Sequence, residues 1–238
     1  MGIVVVTGTG TEIGKTVVTA AVAAAAAVRG RKVAVLKPAQ TGLERGEAGD
    51  ADEAARLAGS GVCGVELARF PEPLAPATAA RRAALEPVRP QAVVEAAEKL
   101  SRENDLVLVE GAGGLLVRFD DTAGTLADAA RTLRASVLIV APPGLGTLNM
   151  TALTSEALRA RSLEPLGVVV GSWPVVPDLA ARCNLTDLPD AAGAPLLGVV
   201  PEGSGSLSPV AFRTAAPSWL APVLGGVWDA ESFAASAR

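Results

Sequence analysis

A glycine-rich stretch near the start of the chain most constrains what this protein can fold into. It reads Gly-Thr-Gly-Thr-Glu-Ile-Gly-Lys-Thr over residues 8–16, between an apolar run at 3–6 and an alanine-rich segment at 17–28. The order strand, glycine-rich turn, helix is typical of a loop whose backbone N–H groups converge on a phosphate, where the helix dipole adds to the attraction. In such a loop Lys15 would reach the outer phosphates and the Thr16 hydroxyl could ligate Mg²⁺.

The spacing of this loop departs from the common pattern of glycine, four residues and Gly-Lys-Ser/Thr. Five residues separate Gly8 from Gly14, so the usual first glycine position falls on Thr9. A turn that only lets a helix pack on its strand is the alternative interpretation. Because Gly-Lys-Thr stands at the expected strand–helix junction, we predict a nucleoside triphosphate site of a variant subfamily.

Composition bounds the classes of partner and the chemistry. Half of the 238 residues are apolar, which suits a sizeable core, whereas a net charge of −4 and 3% aromatic residues argue against nucleic acid as a partner. Histidine is absent, so Ser-His-Asp catalysis and histidine-ligated zinc are excluded. The chain has two distant cysteines, Cys63 and Cys183, and its sequence shows neither a membrane-spanning run nor a signal peptide. These features favour a cytoplasmic protein without a membrane partner.

Short apolar runs alternate with helical patterns along the chain. We predict strands at 3–7, 33–36, 65–70, 106–109, 137–141, 168–170 and 196–200, with a further short strand at 115–119. Helices are predicted at 15–28, 50–57, 91–102, 125–133 and 148–161, and the proline-rich segment 71–90 as a rigid loop that can enclose a short helix. The pattern predicts an α/β fold of the P-loop NTPase type, with about seven mainly parallel strands, helices on both faces and one domain over residues 1–238.

Chemically active residues follow the strands repeatedly, where ligands bind in such sheets. Lys37 stands between a buried strand and a proline, and could stabilise charge that develops during phosphoryl transfer. Glu110 ends a strongly apolar strand, where a carboxylate needs a cation partner, so we predict that it holds Mg²⁺ with Thr16. Asp50 is a second candidate ligand and Asp52 its alternative, since both also suit the acidic first turn of a helix.

These segments together resemble the dethiobiotin synthetase family. The resemblance rests on the loop at 7–16, Lys-Pro at 37–38 with Thr-Gly at 41–42, Val-Glu-Gly-Ala-Gly-Gly at 109–114 and Gly-Thr-Leu-Asn at 146–149. It covers about residues 3–203 and implies closure of a cyclic urea from 7,8-diaminononanoate and CO₂. In that scheme a nucleotide activates a carbamate as a carbamic-phosphoric anhydride, with Mg²⁺ and ATP or another triphosphate.

The resemblance also implies roles for individual residues. Lys37 and Lys15 would be catalytic, and Thr16, Asp50 and Glu110 would hold the metal. The implied nucleotide site comprises Glu12, Ile13, Gly14, Lys15, Thr16, Val17, Asp50, Glu110, Gly111, Ala112, Gly113, Gly171, Ser172, Pro201, Glu202 and Gly203. The implied diamine site comprises Thr11, Thr41 and Pro73, together with Leu145, Gly146, Leu148 and Asn149 from the partner subunit of a homodimer.

Two departures from the family pattern leave questions open. Gly171-Ser172 replaces the usual Asn-Asp pair, whose asparagine reads adenine, so base preference is undetermined; residues 204–238 match poorly. Two rival functions remain. One is a regulatory ATPase of the partitioning type, which usually carries a lysine where Gly10 stands; the other is an amide-forming synthetase on a cobalt-corrin precursor, which normally has an added Cys–His glutaminase domain.

Overall fold

Seven segments rich in valine, leucine and alanine form the strands of one parallel sheet. The computed structural model describes residues 2–236. The strands are β1 (Ile3–Gly8), β2 (Val33–Thr41), β3 (Val62–Phe70), β4 (Leu106–Gly114), β5 (Ser136–Ala141), β6 (Pro165–Trp173) and β7 (Leu196–Pro201). Most are buried on both faces, as expected when helices cover both sides of a parallel sheet. The predicted α/β class and strand number are confirmed.

The strand order, β3-β2-β4-β1-β5-β6-β7, places β1 in the middle of the sheet. Val6 of β1 lies beside Glu110 of β4, and Gly8 lies beside Val140 of β5. The chain leaves β1 toward β2 on one side and later crosses from β4 to β5 on the other. The glycine-rich loop therefore emerges at the switch point where ligands bind in this class of fold.

Helices cover both faces of the sheet. They are α1 (Lys15–Val28), α2 (Asp50–Ala58), α3 (Pro76–Ala83), α4 (Pro90–Ser101), α5 (Leu126–Leu133), α6 (Thr147–Arg159), α7 (Leu179–Ala192), α8 (Pro209–Ala215) and α9 (Ala230–Ser236). Side chains of α1, α2 and α8 pack into one apolar core, and those of α3 to α7, with α9, pack into the other. Within the described residues, no helix is both long and apolar enough to span a membrane.

Helix α1 illustrates how composition positions the site. Residues 20–26 of α1 are almost entirely alanine and are buried against the sheet. Alanine favours the helix because it loses no side-chain entropy, and its small size lets the helix axis approach β1 closely. The N-terminus of α1 is thereby held directly over the carboxyl end of the central strand.

Two features of the fold differ from the sequence-based predictions. The strand predicted at 115–119 is wrong: β4 ends at Gly114, and Phe119 N–H instead closes a turn on the Gly124 carbonyl at 2.7 Å. Leu115 and Phe119 are apolar because they fill the core, not because they belong to a strand. Helix α7 was not predicted, since it contains Pro189 and no clear apolar stripe. The single domain over residues 1–238 stays a prediction, and residues 1, 237 and 238 lie outside the described part.

Candidate active site

The glycine-rich loop turns sharply between β1 and α1. Glu12 (φ 58°) and Gly14 (φ 89°) are both in the left-handed region, and Gly14 is the N-cap of α1. Thr9 N–H donates to the Val140 carbonyl at 3.0 Å, which ties the loop to β5. A Cβ at position 14 would lie 2.3 Å from the Gly171 carbonyl oxygen, so glycine is required both by conformation and by space. This geometry is that of an anion-binding loop at a helix N-terminus.

The two residues that follow Gly14 point into the same site. Lys15 is 7% exposed, and its Nζ donates to the Gly10 carbonyl at 2.7 Å across the loop. Thr16 Oγ1 donates to Glu110 Oε1 at 2.9 Å. The lysine ammonium therefore lies across the loop, and the threonine hydroxyl lies against Glu110.

A buried charge cluster joins β2, β4 and α2 beside the loop. Lys37 Nζ contacts Asp50 Oδ2 at 2.6 Å and Glu110 Oε1 at 3.0 Å, and it donates to the Gly111 carbonyl at 3.2 Å. Lys37 and Glu110 are 3% and 1% exposed, whereas the Asp50 side chain is 36% exposed. Charges buried this deeply are tolerated only when paired, and the lysine supplies the pairing for both carboxylates.

The two lysines of the site have opposite pKa perturbations. Burial lowers the pKa of Lys15 and the neighbouring Lys37 ammonium lowers it further, while Glu110 and Asp50 offset only part of these two effects. Burial also acts to lower the pKa of Lys37, but the Glu110 and Asp50 carboxylates outweigh it, so this pKa is raised. Lys37 is therefore a fixed positive charge at neutral pH.

The residues beside the loop fit a magnesium ion. Glu110 Oε2 is buried and has no hydrogen-bond partner, which is unusual for a carboxylate oxygen and leaves it free for a cation. Thr16 and Asp50 supply further oxygens next to it, and Mg²⁺ in nucleotide sites takes one or two carboxylates with phosphate and water. No cluster of three carboxylate, cysteine or histidine ligands occurs in residues 2–236. The described side chains therefore do not form a site that surrounds a metal ion with protein ligands alone.

Of the two aspartates that the sequence left open, only Asp50 faces this site. Asp52 accepts from the Gly49 N–H at 3.2 Å and lies 3.9 Å from Arg69, so it serves the N-terminus of α2. Its side chain is 58% exposed. The geometry therefore favours Asp50 as the candidate metal ligand, as a capping carboxylate already satisfies a helix N–H.

A cleft of about 760 Å³ opens over the charge cluster. It brings together most of the predicted nucleotide and substrate residues from five separate segments of the chain. Those that line it are Thr11, Glu12, Ile13, Gly14, Lys15, Thr16, Lys37, Thr41, Asp50, Pro73, Glu110, Ala112 and Gly113. The volume is ample for a small-molecule substrate next to a phosphate.

The remaining predicted site residues lie outside this cleft. They are Val17, Gly111, Gly171, Ser172, Pro201, Glu202 and Gly203 of the nucleotide set, and Leu145, Gly146, Leu148 and Asn149 of the substrate set. Val17 packs against Gly205, because a Cβ placed on Gly205 would lie 3.2 Å from Val17 Cγ2. The Glu202 N–H, after β7, donates to the Trp173 carbonyl at the end of β6 at 2.7 Å. The ends of β6 and β7 therefore lie together on the side of α1.

Gly171 has a structural reason to lack a side chain. A Cβ at this position would lie 2.0 Å from the Ile13 carbonyl oxygen and 2.7 Å from Val140 Cγ1. The backbone of β6 packs directly on the phosphate loop, so an asparagine cannot occupy position 171 without moving that loop.

The start of α6 is exposed instead of facing its own cleft. Leu145 is 91% exposed, Asn149 is also exposed, and Gly146 (φ 88°) is the N-cap of the helix. Asn184 Nδ2 of α7 donates to the Pro143 and Gly144 carbonyls at 2.7 and 3.1 Å and so holds the preceding loop. The free N–H groups of α6 are available to a group outside this subunit's cleft.

Several cleft residues were missed by the sequence reasoning. They are Gln40, Gly42, Leu43, Leu74, Ala75, Pro76 and Val117. Gln40 is the most informative, because it is polar, 4% exposed and hydrogen-bonded to Asp50 N at 2.9 Å. Its position between the predicted residues Lys37 and Thr41 was the available signal. The others are apolar or glycine in loops, which no sequence pattern distinguished from packing residues.

The fold and the site define a P-loop nucleotide-dependent enzyme. A family model described as an AAA domain matches residues 3–209. The chain is 68% identical over 236 residues to a protein named ATP-dependent dethiobiotin synthetase BioD from Streptomyces avermitilis, covering 99% of both chains. A protein of the same name from Corynebacterium kroppenstedtii is 47% identical, covering 98% of this chain and 100% of that one. The chain belongs to the ATP-dependent dethiobiotin synthetase family, and it is an enzyme of the ligase class that uses a nucleotide as co-substrate.

Solved structures of lower identity support the fold alone. A ParA family ATPase from Chlorobium tepidum superposes with a TM-score of 0.57 at 14% identity and covers 98% of both chains. The cell division ATPase MinD from Pyrococcus furiosus gives a TM-score of 0.54 at 19% identity, covering 91% of this chain and 97% of that one. Such distant similarity does not favour the regulatory ATPase alternative over the synthetase function.

Proposed function

We propose that this protein closes the ureido ring of dethiobiotin from 7,8-diaminononanoate, CO₂ and a nucleoside triphosphate. The observation that carries the proposal is the Lys37 ammonium, buried between Glu110 and Asp50 beside the phosphate loop. The 68% identity to a named dethiobiotin synthetase supports the choice of substrates. Each step needs charge neutralisation and positioning more than proton transfer, which agrees with a chain that has no histidine.

The proposed reaction has three steps. One amine of the diamine adds to CO₂ and gives a carbamate. A carbamate oxygen then attacks the γ-phosphorus, the bond from that phosphorus to the bridging oxygen breaks, and nucleoside diphosphate leaves with the formation of a carbamic-phosphoric anhydride. The second amine attacks the carbonyl carbon, phosphate leaves, and the amine proton is lost as the cyclic urea closes.

Lys37 and Lys15 are the proposed catalytic residues. Lys37 lies in the cleft between the phosphate loop and the end of β2, so its ammonium can stabilise the charge that develops on the transferred phosphoryl group. Lys15, at the first position of α1, can exchange its hydrogen bond with the Gly10 carbonyl for contacts to phosphate and carbamate oxygens. Its lowered pKa follows from burial and from the second ammonium, and an added anion in the site would favour its charged form.

Thr16, Asp50 and Glu110 are the residues that would hold Mg²⁺. The unpartnered Glu110 Oε2 and the adjacent Thr16 hydroxyl support this assignment. The ion would supply charge neutralisation for the triphosphate. Thr11, Thr41 and Pro73 line the wider part of the cleft and are the proposed contacts of the diamine within the subunit.

A homodimer is also part of the proposal. Large apolar side chains are exposed at the start of α6 and along it, at Leu145, Met150 and Leu153, and on the segment leading into α7, at Val175 and Val176. Exposed apolar residues on adjacent elements are typical of a surface that a partner covers. A second subunit on this surface would bring the α6 N-terminus to the partner's cleft, where its N–H groups could bind the substrate carboxylate.

A cytoplasmic location is proposed as well, supported by two free, exposed cysteines.

Mass detection of the cyclic urea tests the proposed function. The complete mixture contains protein, diamine, labelled bicarbonate, Mg²⁺ and one nucleoside triphosphate, and each component is omitted in turn. We expect a product that carries the label only in the complete mixture, with phosphate released in equal amount. Repeating the assay with each common triphosphate determines the base preference. Nucleotide hydrolysis that proceeds equally well without diamine, with no urea formed, would exclude this function.

A further inference from the structure

Gln40 is a buried polar residue to which the proposed reaction assigns no role. It belongs to β2, three residues after Lys37, and it lines the cleft with only 4% of its surface exposed. Burial of a primary amide is unfavourable unless its hydrogen bonds are made. Both ends of this side chain are hydrogen-bonded, and both bonds lead to residues of the candidate site.

The amide of Gln40 links α2 to the end of β2. Its Oε1 accepts from Asp50 N at 2.9 Å, and its Nε2 donates to the Thr41 carbonyl at 3.2 Å. Asp50 is the first residue of α2, where a backbone N–H has no partner within the helix. The N-cap residue, Gly49, has no side chain to reach that N–H. Gln40 therefore satisfies it from a strand on the other side of the cleft.

Asp50 is thus held at two points by the same strand. Lys37 binds its carboxylate at 2.6 Å and Gln40 binds its main chain. The two side chains thus reach the start of α2 from positions three residues apart near the carboxyl end of β2.

Nothing else in the connecting loop fixes Asp50 as directly. Residues 44–48 between β2 and α2 are exposed, and this loop is held chiefly by Arg69, which donates to the Glu44 and Glu47 carbonyls at 2.9 and 2.6 Å. Those contacts lie away from the cleft. The Gln40 bond is therefore the contact by which β2 holds the main chain of Asp50 beside Lys37, in addition to the core packing of α2.

We infer that Gln40 is a positioning residue for the reaction and acts by holding the Asp50 carboxylate against the Lys37 ammonium and the proposed Mg²⁺ site. The inference rests on the proposed function. Loss of the glutamine would leave the Asp50 N–H without a partner. The first turn of α2 could then shift enough to move the Asp50 carboxylate out of contact with Lys37. The effect on turnover would thus pass through Asp50 and not through a contact of Gln40 with the reacting atoms.

Two substitutions remove the hydrogen bond to Asp50 N in different ways. Gln40→Met keeps the length and loses both hydrogen bonds, whereas Gln40→Asn keeps the amide but is one methylene too short to reach Asp50 N. Gln91→Met is the matched control, since Gln91 donates only to Glu95 on the exposed face of α4. Asp50→Asn, alone and combined with Gln40→Met, completes a double-mutant cycle.

Wild-type protein is assayed first for cyclic urea, so that failure of the proposed function is seen before any variant is compared. We expect Gln40→Met to lower kcat about 10-fold, a loss of the size of one buried hydrogen bond. Gln40→Asn should lose a similar factor, because its shorter amide cannot reach the Asp50 N–H. Gln91→Met should equal wild type. In the background of Asp50→Asn, the Gln40 substitution should cause no further loss.

Calorimetric titration with a non-hydrolysable triphosphate provides a readout independent of turnover. With Mg²⁺ present, Gln40→Met should bind about 10-fold more weakly than wild type, and without Mg²⁺ the two should bind alike. Equal losses with and without Mg²⁺, or additive losses in the double variant, would show a general effect on folding and overturn the inference. So would full activity of Gln40→Met. If Gln40→Met does not fold, a Gln40→Asn variant that folds and keeps the kcat of wild type overturns it equally.

Discussion

Replacement of Lys37 by methionine tests whether the buried charge cluster is built as described. Methionine matches the length of lysine without its charge, so the change leaves little cavity. It leaves Glu110, 1% exposed, with only the Thr16 hydroxyl bonded to Oε1 and with no partner for Oε2. A buried carboxylate would then have lost its counter-charge.

The expected loss of folding stability follows from that burial. Removing one member of a buried ion pair costs about 3–5 kcal/mol, chiefly because the other charge stays desolvated and unpaired. Asp50 adds little to this figure, because its side chain is 36% exposed and water can replace the lysine there. We therefore expect the free energy of unfolding of Lys37→Met to be about 3–5 kcal/mol lower than that of wild type. Urea denaturation without nucleotide or Mg²⁺ measures this difference.

A compensating substitution distinguishes lost charge from lost packing. In Lys37→Met combined with Glu110→Gln, neither side chain carries a charge, so the double variant should be more stable than Lys37→Met alone, by at least about 1.5 kcal/mol. Lys99→Met, on the exposed side of α4, serves as the control and should stay within about 0.5 kcal/mol of wild type. A double variant less stable than the single one would refute the electrostatic argument, as would a single variant as stable as wild type.

Activity should respond differently from stability. Both the single and the double variant lack the ammonium that stabilises developing charge, so we expect each to lose at least about 100-fold in formation of cyclic urea. Nucleotide binding should largely remain, because Lys15 and the loop backbone are unchanged. Turnover that recovers in the double variant together with stability would assign Lys37 a purely structural role.

Further predictions concern pH, the phosphate loop and the metal. Because the folded-state pKa of Lys37 is raised above its ordinary value, its stabilising contribution is complete below the unfolded-state pKa and is lost as pH rises through the folded-state pKa. The difference in free energy of unfolding between wild type and Lys37→Met, measured by urea denaturation, should thus be constant from about pH 7 to 10 and shrink above that. A difference that grows above about pH 10 would contradict the raised pKa of Lys37. Gly171→Ala places a Cβ 2.0 Å from a backbone oxygen of the phosphate loop and should weaken nucleotide binding about 10-fold or more by calorimetry, whereas unchanged binding would show that the loop can move freely. Asp50→Asn should raise the Mg²⁺ concentration for half-maximal turnover about 10-fold while Asp52→Asn leaves it unchanged, and the reverse order would exchange their roles.

The amino-acid sequence by itself was enough to predict the class of fold and the centre of the site. Local signals carry that information: a glycine-rich turn between an apolar run and a helix, and polar residues at the ends of buried strands. Parallel strands all end at one edge of the sheet, and β2, β4 and β1 are neighbours in it, so Lys37, Glu110 and Lys15 lie close together. Their assembly in one cleft follows from topology more than from detail.

Tertiary structure alone decided what depends on close contacts between distant segments. Asp50 and Asp52 are equivalent in sequence, and only the packing of α2 against β2 turns one to Lys37 and the other to the N-terminus of its own helix. Gln40 became visible as a site residue only because its amide accepts from the main chain of Asp50 at the start of α2. Gly171 lacks a side chain because a backbone carbonyl of the phosphate loop occupies that space. Such contacts join residues far apart in the chain, and no periodicity or spacing within one segment encodes them.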